Sequence, residues 1–362
     1  MYPVSDRLLQ AIPYPHKLVT TCTITPWGGA PITLRVSSGS VTADRSQRIR
    51  RTATLTVEGG TSLYATLSEP GTRVAVDHGF LFGGADQELI PQIRAELTSA
   101  ALPLGAGTIQ VTLADYWQRL AAADFDTTYT PDVNASRVDE IIAAVRTVLP
   151  DVGIVNSATD TGAVATSQAW TSRADMINSF ATDGGMEAYF AADGSFVLRD
   201  VPQITDNVSY LIKTGTGGTL SSLTRTRPLD KLYNSVSVVP ATADPAQTWT
   251  RVTAAITDPN DPRHPNRIGP RPYPVYNAPT ILTEDDAAVV AAQILAKVTG
   301  TTETLTLDAL THPGLEPGDV VRAQTPLDGG SDIVNNFLEQ FTTDFATGAM
   351  TANTRNGTEF TA

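Results

Sequence analysis

The N-terminal part of the chain alternates between apolar and polar positions with a period of two, which is typical of strands with one buried face. Glycine, proline and serine separate successive runs, and the alternating runs lie at 18–24, 32–36, 53–57, 73–76, 89–97 and 109–113. Several short strands of this kind predict a small β-barrel or sandwich over residues 1–114.

The middle of the chain changes to helical spacing. Two capping boxes, each a serine followed three residues later by an aspartate, predict helices that begin at Ser136 and Ser172. A hairpin follows over residues 186–201, where the Asp-Gly pair at 193–194 predicts a tight primed turn. Residues 115–213 are therefore expected to form a small α/β domain.

Strand patterns return after the glycine-rich segment 214–219, and a polar, proline-rich loop runs from 258 to 279. One inserted helix is predicted at about 283–299, and the strands are predicted at 235–239, 303–307, 320–323, 337–345 and 350–354. Residues 214–362 are thus expected to form a second β domain. No close internal repeat is visible, although the two β regions are similar in kind. The predicted fold class is mainly β with an α/β insert, two small β-barrel domains flanking an α/β domain.

Composition narrows the classes of function. The chain has 362 residues and a formal net charge of −13, which disfavours stable binding to nucleic acid, because phosphate affinity comes from Lys and Arg. The single cysteine, Cys22, excludes an internal disulfide framework and a Cys-rich metal site. The N-terminus lacks a signal-peptide pattern and no run approaches the roughly 18 apolar residues of a membrane span, so synthesis in the host cytoplasm is expected.

Candidate chemistry is sparse. The four histidines are far apart, and no nucleophile elbow, zinc-protease or phosphate-loop motif occurs. Asp258, Asn260, Asp261 and His264 could supply ligands to a hard cation, but the prolines around them favour an ordinary loop, and metal binding there stays open. The carboxylates Asp183, Glu187 and Asp193 could suggest acid/base chemistry, although Asp is also a routine residue of turns and helix ends. No catalytic, metal-binding or cofactor-binding residue is predicted, and no cofactor.

Arg45, Arg48, Arg50 and Arg51 form the densest charge cluster of this acidic chain. One interpretation is a solvated strand edge blunted by charge. The other is that these guanidiniums pair with carboxylates on another subunit, which makes the four arginines candidates for a subunit interface. On that second interpretation, replacing Arg48, Arg50 and Arg51 by alanine should weaken assembly while the fold survives.

Three segments resemble known proteins. Residues 39–57, GSVTADRSQRIRRTATLTV, resemble the N-terminal domain of minor tail proteins from phages of actinobacteria. Residues 174–194 and 315–322 resemble the hub proteins of phage tails and contractile injection machines. The order of β domain, α/β unit and second β domain is similar to that family over nearly the whole chain.

The resemblance implies a structural protein of the virion, at the tail tip or baseplate. It implies a homotrimer in which two barrel domains per subunit alternate around a pseudo-six-fold ring, with a channel for DNA in transit. The implied partners are a distal tail or tail tube protein, a tip or spike protein and the tape measure protein. The sequence lacks the C-terminal extension that larger hubs have after the second barrel, so a fused spike, lytic domain or receptor-binding domain is not expected.

Two other classes of function compete with the hub. A receptor- or carbohydrate-binding tip protein is the alternative, although the four tryptophans are scattered and aromatic residues make up only 7% of the chain. A cell-wall hydrolase is the third, and the missing motifs disfavour it. The sequence leaves open the tail type, the neighbouring proteins and the host receptor.

Overall fold

The computed structural model describes residues 1–84, 86–105, 107–164, 168–226, 233–240, 251–261, 263–278, 283–298, 303–327 and 330–356. They form a mainly β protein, as predicted. Three modules follow one another along the chain, and a small insert interrupts the third. Among the described residues, no helix is both long and apolar enough to span a bilayer.

The first part of the chain is a closed six-stranded barrel, the barrel module. Its elements are α1 (Asp6–Ala11), β1 (Lys17–Thr25), β2 (Ile32–Asp44), β3 (Arg51–Glu58), α2 (Thr61–Leu67), β4 (Arg73–Gly83), β5 (Asp86–Ala101) and β6 (Thr108–Asp115). The strands pair in the order β1-β4-β5-β6-β3-β2, and pairing of β2 with β1 closes the barrel. Alternate residues such as Val41, Leu55 and Val111 are buried inside, because successive side chains of a strand point to opposite faces. Of the two architectures that the alternation predicted, a barrel or a sandwich, the structure shows the barrel.

Two short helices in this module were not predicted. The α1 helix begins after Ser5, whose hydroxyl accepts a hydrogen bond from the N–H of Leu8 at 3.1 Å. Helices α1 and α2 have six and seven residues, which is less than two turns. Segments this short carry too few apolar positions to show a helical period.

The α/β module follows. It contains α3 (Trp117–Ala122), α4 (Arg137–Val148), β7 (Ile154–Asn156), α5 (Arg173–Asp183), β8 (Met186–Phe190) and β9 (Phe196–Asp200). Both predicted caps are present: the hydroxyls of Ser136 and Ser172 accept hydrogen bonds from N–H groups three residues later, at 3.2 and 3.3 Å. The three helices pack on the sheet around a buried cluster that includes Trp117, Phe180 and Phe196.

The hairpin of β8 and β9 forms where the sequence predicted it, but its turn differs. Five residues, 191–195, connect the strands. Gly194 has φ 84°, whereas Asn134 is the only described non-glycine residue with positive φ, so Asp193 does not adopt a primed turn. The Asp193 carboxylate instead accepts a hydrogen bond from the N–H of Ser195 at 2.9 Å, which stabilises a longer loop.

The third part is the C-terminal sheet module with its insert. In chain order the elements are β10 (Tyr210–Ile212), β11 (Leu220–Thr226), β12 (Ser235–Pro240), β13 (Val252–Ala255), α6 (Pro265–Ile268), β14 (Tyr276–Ala278), α7 (Glu284–Val298), β15 (Thr304–Leu310), β16 (Val320–Leu327), β17 (Gly330–Asp344) and β18 (Ala349–Arg355).

The insert, residues 233–298, is more than the single helix that was predicted. Strands β13, β12 and β14 form a separate sheet, and α7 covers it. Val236 and Val238 pack against Ala287 and Ala291 in a small core of their own. The strand predicted at 235–239 therefore belongs to the insert and not to the second β domain.

The C-terminal sheet module repeats the strand order of the barrel module. When the strands of each are numbered along the chain, both sheets follow the order first, fourth, fifth, sixth, third, second. In the second sheet this order is β10-β16-β17-β18-β15-β11, antiparallel throughout except for β10 beside β16. Among the described residues β10 does not pair with β11, so this sheet stays open where the barrel closes.

Finer details repeat as well. Two pairs of corresponding ladders shift register at corresponding positions. The shifts of β2–β3 and its counterpart β11–β15 lie at Val36/Ser38 and Leu220/Ser222, and those of β5–β6 and its counterpart β17–β18 lie at Leu97/Ser99 and Leu338/Gln340. The β4–β5 ladder also shifts, whereas its counterpart β16–β17 does not over the described residues. A Glu-Pro-Gly turn precedes both β4 and β16, at 69–71 and 316–318. Gly71 and Gly318 have φ of 81° and 92°, the geometry that a type II turn requires after proline. The similarity in kind of the two β regions is a shared topology.

One hydrogen-bonded sheet joins the two β modules. Residues 40–44 of β2 pair antiparallel with residues 340–344 of β17, and the hydroxyl oxygens of Thr42 and Thr342 lie 2.9 Å apart. The β2 strand belongs to the barrel and also pairs with the second sheet. Its first half pairs with β1 and closes the barrel, and its second half has one side free to pair with β17. We call this pairing the edge junction.

Candidate functional site at the meeting point of three modules

The loop between β2 and β3, residues 45–50, carries most of the arginine cluster that the sequence singled out. The N–H of Asp44 donates to the carbonyl oxygen of Arg50 at 2.8 Å, so the loop is a closed turn at the end of the edge junction. From there its arginines reach carboxylates of the α/β module and of the C-terminal sheet module.

Glu187 on β8 is the centre of this network. The Nε of Arg45 donates to its Oε1 at 2.6 Å, and guanidinium nitrogens of Arg50 and Arg199 lie 3.3 Å from its Oε2. Burial by itself would raise the pKa of Glu187, but the charges of Arg50, Arg45 and Arg199 outweigh burial and lower it to about 2. The carboxylate is therefore ionised at physiological pH and neutralises a concentration of positive charge.

Arg50 shows how closely the loop and the α/β module fit. Its guanidinium carbon lies 3.8 Å from the centre of the Tyr189 ring, within the range of a cation–π contact. Burial lowers the pKa of Arg50, and the charge of Glu187 opposes that effect. The side chain is thus held between a carboxylate and an aromatic face.

Arg51, at the start of β3, forms a second buried centre. One of its terminal nitrogens binds the carboxylate of Glu316, and the other donates to the carbonyl oxygen of Gln92 at 3.0 Å. Its own N–H donates to Asp115 at 2.8 Å. Burial raises the pKa of Asp115 to about 6, although hydrogen bonds from the N–H groups of Arg51 and Trp117 oppose the rise.

The structure corrects the expected location of the arginines' partners. The side chains of Arg45, Arg50 and Arg51 are 7%, 6% and 1% exposed, and their carboxylate partners belong to the same chain. They join modules within one subunit, because a side chain buried in this way cannot reach another subunit. Alanine at Arg50 or Arg51 should therefore disturb the fold. Arg48 differs: it is 59% exposed and pairs with Asp175, so it stays a predicted interface residue.

A cleft of about 390 Å³ opens beside this network. Its charged lining residues include Arg45, Arg48, Glu187, Glu339 and Arg355, and Arg355 donates to Glu339 at 3.1 Å. In the part of the chain that the structure describes, no three His, Cys, Asp or Glu side chains gather as they would around a metal ion. The cleft offers ion pairs and hydrogen bonds, which suit a structural junction.

The remaining candidate residues have local structural roles. Asp261 binds Arg263 through both oxygens, at 2.8 and 2.6 Å, and the ring nitrogen of His264 accepts from the N–H of Asn266 at the start of α6. Asp258 accepts from the N–H of Asn260 at 2.9 Å within a turn. Asp183 ends α5, 3.4 Å from the hydroxyl of Ser179.

Comparison of sequences identifies no relative, since neither a protein family model nor a curated protein matches the chain. Comparison of structures identifies several proteins with a similar fold. A tail protein from Neisseria meningitidis MC58 is similar with a TM-score of 0.64 and 13% identity, over 93% of this chain and 96% of that one. A 43 kDa tail protein of prophage MuSo2 from Shewanella oneidensis gives 0.62 and 12%, over 92% and 97%. The chain has the fold of a phage tail protein.

The same tail protein fold occurs in secretion machinery. The Escherichia coli c3393 protein is described as a component of the type VI secretion system with structural similarity to the T4 tail proteins gp27 and gp5. It matches with a TM-score of 0.50 and 10% identity, over 94% of this chain and 76% of that one. At such identities the agreement concerns the fold. The predicted hub-like fold is confirmed.

Proposed function

We propose that this chain is a structural tail hub protein that forms a trimeric, pseudo-six-fold ring at the distal end of a phage tail. The ring joins the six-fold tail tube or distal tail protein to the three-fold tip or spike, contacts the tape measure protein and leaves a channel for DNA. Its place is the virion, at the tail tip or baseplate, after synthesis in the host cytoplasm.

The observation that carries the proposal is the repeated strand order of the two β modules. A trimer of a chain with two similar modules presents six similar modules around one axis, which matches a six-fold tube on one side and a three-fold tip on the other. The edge junction supports this arrangement, because it places the two sheets side by side, as successive segments of a ring wall require.

The charge balance supports passage of DNA without retention. A chain with a net charge of −13 repels phosphate wherever its carboxylates line a channel. The fold similarity to phage tail proteins supports a structural role and, with it, the absence of an enzymatic activity. Stable binding of nucleic acid is not part of the proposal.

Native mass spectrometry and cryo-EM of the purified chain test this function. We expect a homotrimer and a ring of six similar densities around an open lumen. A chain that stays monomeric at every concentration would refute the hub, and so would a trimer without a lumen. Zymography on peptidoglycan should show no clearing. If clearing appeared and were lost on D183N, a substitution at the end of α5 and outside the buried arginine network, the non-enzymatic assignment would fail.

A receptor- or carbohydrate-binding tip protein is the second candidate, and one observation favours it. A cleft of about 410 Å³ is lined by Trp27, Tyr116, Arg73 and Arg94 among others, and Trp27 is 73% exposed. An exposed aromatic ring beside polar groups suits stacking against a sugar. A glycan array on the parent chain and on W27A discriminates the two: signal lost on W27A would support the tip protein, and no signal would favour the hub.

A further inference from the structure

The two strands equivalent to those of the edge junction do not pair with each other in the part of the chain that the structure describes. Inside the chain, β2 of the barrel module pairs with β17 of the C-terminal sheet module. By strand order, β11 is the counterpart of β2, and β5 is the counterpart of β17. Aligning the strands on their matching register shifts assigns each residue a counterpart. In this alignment Thr226 of β11 corresponds to Thr42 of β2, and Ala101 of β5 corresponds to Thr342 of β17.

Both counterparts are open along one side. Among the described residues, β11 pairs only with β15, and Ser222, Thr224 and Thr226 are exposed. The β5 strand pairs with β4 only as far as Glu96, and beyond it with β6 alone. An unpaired edge is a template for another strand, and native proteins seldom leave one uncovered.

A groove marks the place beside β5. It has a volume of about 270 Å³ and lies between the Glu-Pro-Gly turn at 69–71 and residues 96–100. In the C-terminal sheet module the corresponding turn approaches β17, where the N–H of Gly318 donates to the carbonyl oxygen of Leu338 at 2.7 Å. Just beyond that bond, the N–H of Arg45 donates to the carbonyl oxygen of Glu339 at 2.8 Å as β2 comes alongside. The barrel module thus has the receiving half of the junction without its strand.

We propose that β11 of one copy pairs antiparallel with the end of β5 of the next copy, repeating the edge junction between subunits with Thr226 opposite Ala101. The occupant is a second copy, because one chain carries both halves and already joins its two modules in this way. A head-to-tail contact of this kind repeats around an axis until the ring closes. This inference rests on the proposed function and specifies which edges assemble the ring.

Cysteine pairs test the register. Cys22 is buried and burial raises the pKa of its thiol to about 12, so the native cysteine contributes little background. The variant A101C/T226C, oxidised in dilute solution and separated without reductant, should shift from the one-chain band to two-chain and three-chain bands. Directly opposed residues of antiparallel strands lie within reach of a disulfide.

Two matched variants control the result. T42C/T342C repeats the design at the edge junction and should form a disulfide within one chain, leaving the one-chain band in place. A100C/T226C moves one cysteine by one residue, which turns its side chain to the other face of the strand, so the crosslink should be lost.

The outcomes separate this inference from the proposed function. A trimer by native mass spectrometry in which A101C/T226C crosslinks and A100C/T226C does not supports both. A trimer in which T42C/T342C forms its disulfide but A101C/T226C does not crosslink refutes the strand pairing and leaves the hub. A chain that is monomeric throughout refutes both.

Discussion

At the scale of single residues, Glu187 has the largest expected effect on the stability of the contact between the modules. Its carboxylate pairs with the guanidiniums of Arg45, Arg50 and Arg199, and the side chains of Arg45, Arg50 and Glu187 are largely buried. Ions removed from water need a counter-charge, and one that loses it stays buried at a high cost. The stability of the contact between modules therefore depends on this carboxylate more than on any exposed ion pair.

E187Q should lower the free energy of unfolding by about 3–5 kcal/mol, because it leaves buried guanidiniums without their shared counter-charge. Urea denaturation at pH 7 measures the change. R48A is the matched control, since the exposed pair of Arg48 with Asp175 is expected to contribute no more than about 1 kcal/mol. Equal midpoints for E187Q and the parent chain would contradict the network's role.

Two buried histidines should make the fold sensitive to acid. His78 packs against Phe345 and His312 against Tyr210, and burial lowers the pKa of each to about 4. Between pH 6.5 and 4 the unfolded chain then binds more protons than the folded chain, so the free energy of unfolding falls as the pH falls through this range. Asp115 acts in the opposite direction from pH 6 to 4, because its pKa is raised.

H78F tests this behaviour. The variant removes one of the two groups that must bind a proton on unfolding, so its loss of stability between pH 6.5 and 4 should be smaller than that of the parent by about 1.4 kcal/mol per pH unit at most. Denaturant titrations at several pH values provide the comparison. Parallel pH profiles would show that His78 does not set the acid limit.

At the scale of elements, Gly39 lies in β2 between the residues that pair with β1 and those that pair with β17, at a position too crowded for a side chain. A Cβ on Gly39 would lie 2.6 Å from the carbonyl oxygen of Thr54 and 2.7 Å from a methyl carbon of Leu55. G39A should therefore cost about 1–3 kcal/mol through overpacking. G60A is the control, because a Cβ there meets nothing within 4 Å. Thermal unfolding that moves equally in both variants would contradict this reason.

Elements whose signals are local could be predicted from the sequence. The caps at Ser136 and Ser172 depend on residues three positions away, and both helices begin where they indicate. Alternation over several residues likewise located most strands. The three-residue strands β7, β10 and β14 and the helices α1 and α2 are too short to show a period.

At the scale of the whole molecule, the insert packs around a hydrophobic core of its own. Thr226 and Thr304, on either side of it, are opposed in the ladder of β11 with β15, so a short hairpin loop can connect them. Replacing residues 227–302 by such a loop should leave the C-terminal sheet module folded, because the insert has its own core. Circular dichroism and native mass spectrometry should show a folded chain in the same oligomeric state as the parent. Loss of folding would show that the insert supports the sheet.

The partners of the arginine loop could not be predicted, because they depend on contacts between residues far apart in the sequence. Arg51 contacts Glu316 only when the two β modules are packed together, and no local sequence pattern predicts that contact. The shared topology could not be predicted for a related reason. Many different apolar residues fit the alternating positions of a sheet, and the repeated Glu-Pro-Gly turn is only three residues long, which is too short to reveal a repeat in the sequence. Topology is retained here after side-chain identity has diverged.

The edge junction also has a consequence for synthesis. Thr42 and its partner Thr342 are separated by 300 positions, so at roughly 5–20 residues per second the ribosome needs tens of seconds to deliver the second strand. During that interval the nascent barrel has an exposed strand edge that can bind other chains. Chaperone dependence during expression, relieved once the last strands emerge, is the expected result of closing a sheet with residues so distant in the sequence.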